Sequence, residues 1–96
     1  MKGYWLIVGT AITDKAAQAE YGRLWAPIAA KYQARLNPGA APVLLEAHTA
    51  TRVSVVAFPS LAEAKACYED PEYQTAMQHA LKASNRELVM FEGELA

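Results

Sequence analysis

The sequence predicts an α+β domain: a four-stranded antiparallel sheet with helices laid over one of its faces. Three observations support this. Strand-like runs near both ends of the chain are apolar on both alternating sides. Helix-start signatures stand at Asp14, Ser60 and Asp70. Strand and helix signals alternate in an order that fits two split βαβ units.

Gly3 to Ala11 is rich in aromatic and β-branched residues of both parities, as a central strand buried on both sides requires. Asp14 can cap the next segment, where Ala17, Tyr21, Leu24, Ile28 and Tyr32 recur at helical spacing. Pro27 lies inside that stripe and predicts a kink, because it lacks a donor and crowds the preceding turn. Asn37-Pro38-Gly39 is expected to end the helix. Val43 to Ala47 and Arg52 to Phe58 read as a β-hairpin joined by His48-Thr49-Ala50-Thr51. Ser60 and Glu63 have the spacing of a capping box, and Leu61, Ala64 and Tyr68 face one side of a short helix. Asp70 and Pro71 break it and start another, with Pro71 at the first helical position, where its missing N–H costs nothing. Tyr73, Met77, Ala80, Leu81 and Ser84 continue the stripe until Asn85. Glu87 to Glu92 forms the last strand.

The order β-α-β-β-α-α-β is the ferredoxin-like arrangement. Its helices shelter one face of the sheet, yet the first and last strands are apolar on both. A second copy of the same sheet is the simplest cover, giving a homodimer through the sheet faces, a dimeric α+β barrel.

Bulk properties limit the function classes. At 96 residues the chain suits one domain, 1–96. Hydrophobic residues make up 53% and charged residues 20%, a greasy balance for a small domain and consistent with a covered face. A net charge of −1 gives no field to gather nucleic acid or an anionic membrane. Cys67 is the one cysteine, which excludes an internal disulfide framework and suits the cytoplasm. The apolar run after Met1-Lys2 is short and interrupted by Gly9, so a strand is expected rather than a secretion signal. No run approaches a membrane span. Arg52 to Phe58 has a single aromatic where an RNA-recognition strand needs several, so nucleic acid is not an expected partner. Glycine-rich phosphate loops and dinucleotide fingerprints are absent, and no cofactor is expected.

Several segments resemble a known family. Lys2-Gly3-Tyr4-Trp5, Ala26-Pro27 followed by Lys31-Tyr32, Val43-Leu44-Leu45-Glu46, Arg52-Val53-Ser54-Val55-Val56, Phe58-Pro59-Ser60 and Asp70-Pro71-Glu72-Tyr73-Gln74 are similar to the domain-of-unknown-function 1330 family, from Lys2 to about Gly93. The resemblance implies the dimeric α+β barrel and no particular reaction. Relatives by fold include cofactor-free monooxygenases, muconolactone isomerases and haem chlorite dismutases. The family usually carries a glycine pair before Arg35, where this chain has Gln33-Ala34.

The residues suited to a pocket are few. Tyr32, Tyr68 and Tyr73 lie on apolar helix faces, as core aromatics or as hydrogen-bond donors to a ligand. Arg52 and Glu46 flank the hairpin as cross-strand neighbours, an exposed ion pair or a clamp for a carboxylate or enolate. Arg35 falls in the last helical turn, solvated or at a pocket mouth. His48, in the hairpin loop, is the one titratable group placed as a candidate general base. Two isolated histidines without neighbouring ligands make a metal site unexpected. Together these residues suit a small-molecule-binding protein, as a cofactor-independent enzyme on an aromatic or enolisable substrate or as a non-catalytic module.

Overall fold

The computed structural model describes residues 1–37 and 41–95. The chain forms β1 (Lys2–Gly9), α1 (Lys15–Lys31), β2 (Arg35–Leu36), β3 (Arg52–Phe58), α2 (Leu61–Glu69), α3 (Pro71–Ala83) and β4 (Arg86–Gly93). The strands make one antiparallel sheet in the order β2-β3-β1-β4. This is the ferredoxin-like α+β arrangement that the element order predicts.

The helix starts follow the local chemistry. Asp14 Oδ1 accepts from the Ala17 amide at 2.9 Å, Ser60 Oγ from the Glu63 amide at 3.2 Å, and Asp70 Oδ1 from the Glu72 amide at 2.8 Å. Pro71 is the first residue of α3. Helix α1 continues through Pro27, whose side is exposed.

The end of α1 differs from expectation. Pro38 and Gly39 lie outside the described residues, and the helix has already stopped at Lys31. Gln33 takes the left-handed conformation with φ 53°. Its amide bonds the Ala30 carbonyl at 3.4 Å, and the Ala34 amide reaches back to Ala29 at 2.9 Å. This is a Schellman closure built on a non-glycine residue, which is why composition did not reveal it. Arg35 therefore lies in β2, opposite Ala57, and not in the last helical turn.

The hairpin expectation is also corrected. Val43 to Ala47 is not a strand. The edge of β3 is occupied by Arg35–Leu36, and Asn37 extends that pairing through its amide to the Val55 carbonyl at 2.8 Å. Residues 41–50 form an irregular segment whose Val43 and Leu45 side chains are 83% and 86% exposed. Glu46 and Arg52 are consequently not cross-strand partners.

Register settles which residues share a face. Trp5 lies opposite Val56 and Met90, and Ile7 opposite Ser54 and Leu88. All three helices cover this side, where Trp5, Tyr73, Phe58 and Cys67 are fully buried. The Trp5 ring contacts Trp25 of α1, Tyr68 of α2 and Tyr73 of α3, and its Nε1 donates to the Ala64 carbonyl at 3.2 Å. The opposite side carries Tyr4, Leu6, Val8, Val53, Val55, Ala57, Val89 and Phe91. No helix covers it, and Val53 and Val89 are 49% and 53% exposed.

Gly3 permits α2 to sit close. A Cβ there would stand 2.6 Å from both Leu61 Cα and the Ser60 carbonyl oxygen, backbone atoms that cannot swing aside. Gly3→Ala is expected to cost roughly 3 kcal/mol or more by forcing the helix start off the sheet. Gly22→Ala, in α1 with open space around it, is expected to stabilise by about 0.5–1 kcal/mol. Urea denaturation of both variants checks the pair; a harmless Gly3→Ala would refute the close approach.

Candidate functional site

The expected site residues fall into separate regions. Tyr73 and Tyr68 belong to the interior beneath the helices. The Tyr73 hydroxyl lies 3.2 Å from that of Tyr21 and accepts from the Arg86 guanidinium at 2.7 Å. Burial pushes its phenol above the ordinary tyrosine range. Tyr68 donates to Met77 Sδ at 3.4 Å. Among the described residues no buried side-chain nitrogen or oxygen lacks a partner. Arg86, which the sequence did not single out, ties β4 to this cluster and also stacks its guanidinium over the Tyr21 ring at 5.1 Å. Cys67 lies nearby, its thiol pushed up to about 12 chiefly by burial.

Tyr32 lies at the junction of α2 and α3. Asp70 is buried and accepts from Lys31 Nζ at 2.8 Å and from the Tyr32 hydroxyl at 2.7 Å, besides capping α3. The Lys31 ammonium, then the Tyr32 hydroxyl and the Glu72 amide, hold its carboxyl at about 2, below the ordinary 3.8. A carboxylate lowered on folding contributes stability above its unfolded pKa, and that contribution disappears as pH falls through the folded value. The wild type is therefore expected to lose thermal stability between about pH 4 and pH 2, on top of the general acid response. Asp70→Asn keeps the cap and should show a flatter profile over that window, read by circular dichroism melts. Parallel profiles would refute the assignment.

Arg52, at the start of β3, donates from Nε to the Thr10 carbonyl and from a terminal nitrogen to Ser84 Oγ, both at 2.8 Å. It passes over Gly9, where a Cβ would meet its guanidinium at 2.7 Å. The arginine thus fastens the end of β1 to the end of α3.

Glu46 and His48 belong to a different place. The segment 42–50 lies across one end of the uncovered sheet face and, with Val8, Gly9, Thr10, Val53, Asn85, Arg86 and Glu87, encloses a trough of about 660 Å³. Its walls are mostly apolar, with Glu46, His48, Glu87 and Arg86 as the charged or titratable groups and Thr10, Thr49 and Asn85 as further polar ones. A second hollow, of about 620 Å³, lies at the opposite end of the sheet between Lys2, Arg35, Ala57 and the end of α1. The sequence pointed to Glu46 and His48 by residue type. That they share a wall with Val8 and Glu87 follows from the loop's path, which no local pattern encodes. Among the described residues no cluster of three or more metal-ligating side chains occurs, and no helix is long and apolar enough to cross a membrane.

The sheet, its one-sided helical cover and the trough define a ferredoxin-like α+β protein with an unshielded apolar face. The chain belongs to the domain of unknown function family DUF1330, which it matches over residues 2–94. No curated protein sequence matches the chain. Among solved structures it is similar to a protein of unknown function from Rhodopseudomonas palustris, with a TM-score of 0.72 and 18% identity over 99% of this chain and 84% of that one. It is similar to a dimeric ferredoxin-like protein of unknown function from Bacteroides fragilis, at TM-score 0.61 and 13% identity over 96% of each chain. It is also similar to SnoaB, a cofactor-independent oxygenase from Streptomyces nogalater, at TM-score 0.60 and 13% identity over 99% of this chain and 95% of that one. At such identities the likeness establishes the fold alone.

Proposed function

We propose that this protein is a cytoplasmic homodimer whose uncovered sheet faces meet, and that its trough binds a small aromatic or enolisable molecule for cofactor-independent oxygenation or isomerisation. The trough is the observation that carries this reading. Its volume and apolar walls suit a small organic ligand, and its few polar groups can orient one. His48 is the general base in this scheme: its imidazole, on the trough wall, would take an acidic C–H or O–H proton. The oxygenase SnoaB, with the same fold and no cofactor, supports the reaction class by analogy. Tyr32, Tyr68, Tyr73 and Arg52 have their polar atoms engaged within the protomer, and we assign them to holding the fold.

The test is a panel of quinols, lactones and β-dicarbonyls, assayed for turnover and for thermal shift in the wild type and His48→Ala. Turnover by the wild type that falls about a hundredfold or more in the variant supports the base role. A panel that neither reacts nor raises the melting temperature overturns the reading. A second reading, a non-catalytic binding module, is favoured by one feature: among the described residues no carboxylate hydrogen-bonds His48 to orient it. Ligands that raise stability without being converted would select it.

A further inference from the structure

We propose that the two copies meet with their strand ends reversed, so that the cationic end of one open face lies over the acidic end of the other and roofs its trough. This rests on the sheet-face dimer proposed above. Charged side chains on the open face are confined to its ends. Lys2 and Arg35 stand at one end, where β1 begins and where Arg35 lies opposite Ala57. Glu87 stands at the other end, opposite Val8, with Glu46 on the adjoining trough wall. The two ends are roughly 20 Å apart along β1. Between them the face is Tyr4, Leu6, Val55, Val89 and Phe91, all uncharged.

All four charged residues are exposed, and among the described residues none forms an ion pair within the protomer. Glu94, near the cationic end, is engaged by the amino terminus. Identical faces related by a two-fold axis have two extreme choices. An axis along the strands sets like ends together, cations on cations and carboxylates on carboxylates. An axis across them sets each Lys2–Arg35 end on a Glu46–Glu87 end, twice per dimer. The second choice replaces repulsion with attraction at both ends while the apolar middle packs on itself. It also makes the trough a site of two protomers, with His48, Glu46 and Glu87 from one and Lys2 and Arg35 from its partner. An anionic or enolate group in the trough would then meet two cations besides Arg86 of its own protomer, whose guanidinium already donates to the Tyr73 hydroxyl.

A charge-reversal cycle tests this, with dimer dissociation constants measured by sedimentation at low salt and folding checked by circular dichroism. Lys2→Glu with Arg35→Glu, and separately Glu46→Lys with Glu87→Lys, are each expected to weaken the dimer about tenfold or more. The variant carrying all four changes should return to within a few-fold of wild type, and 1 M salt should shrink every difference. If the two reversals add independently while the wild type remains dimeric, the reversed-end arrangement is overturned and the sheet-face dimer stands. A wild type that sediments as a monomer overturns both.

Discussion

Val89→Glu is expected to turn the proposed sheet-face dimer into monomers. Val89 lies opposite Leu6 on the uncovered face and is 53% exposed; Lys2 pairs four residues further along β4, at Gly93, and Arg35 stands on the opposite edge strand. In the proposed dimer it would carry a carboxylate into an apolar interface, twice, with no partner. Removing one such charge from water without compensation costs roughly 3–5 kcal/mol, so the dissociation constant should rise on the order of a thousandfold or more. The isolated protomer would expose Leu6, Val8, Val53, Val55 and Phe91 together; the variant's melting temperature should fall, and that of the wild type alone should depend on protein concentration. Sedimentation velocity at micromolar concentration reads the result. A Val89→Glu protein that remains a dimer would mean that association uses another surface.

Trp5→Ala is expected to have the largest effect on folding. The indole is fully buried and lies 4.9 Å from Phe58, 5.0 Å from Tyr73, 5.6 Å from Trp25 and 6.0 Å from Tyr68, ring centre to ring centre. Among the described residues it is the one side chain that touches a ring on each of the three helices. Its removal leaves a cavity between two layers whose backbones cannot close it, at a cost of about 3–5 kcal/mol. Against the roughly 5–15 kcal/mol that holds an ordinary domain, that is a large fraction of the total. Trp5→Phe keeps most of the packing and loses the hydrogen bond to Ala64, so a cost of about 1–2 kcal/mol is expected. Urea midpoints at one protein concentration check both. A Trp5→Ala midpoint near that of wild type would mean that the helical layer is anchored elsewhere.

The parts of the fold that were legible in the sequence are those written in local chemistry. Asp14, Ser60 and Asp70 each cap the helix that follows them, and β3 begins and ends where its alternating pattern does. Gln33 shows the opposite case. A left-handed residue that is not glycine leaves no compositional mark, so the apolar periodicity alone carries the helix past its real end and puts Arg35 in its last turn. The error spread to the hairpin: once Arg35–Leu36 takes the edge of β3, Val43 to Leu45 has no strand to pair with. The candidate site suffered likewise. An apolar helix face marks Tyr73 as a core aromatic or a ligand donor, and a loop position marks His48; the first lies in a closed aromatic core and the second on the wall of a trough at one end of the sheet.

The sequence by itself determined the element order, the caps and the surplus of apolar strand surface, because each depends on neighbours within a few positions along the chain. Tertiary structure decided the rest. Both parities of β1 and β4 are apolar, so only the seating of the helices on Trp5 and Ile7 chose the inner face and left Leu6, Val55 and Val89 outside. That same choice put Lys2 and Arg35 at one end of the open face and Glu87 at the other, a separation of charge that exists only once the strands are in register.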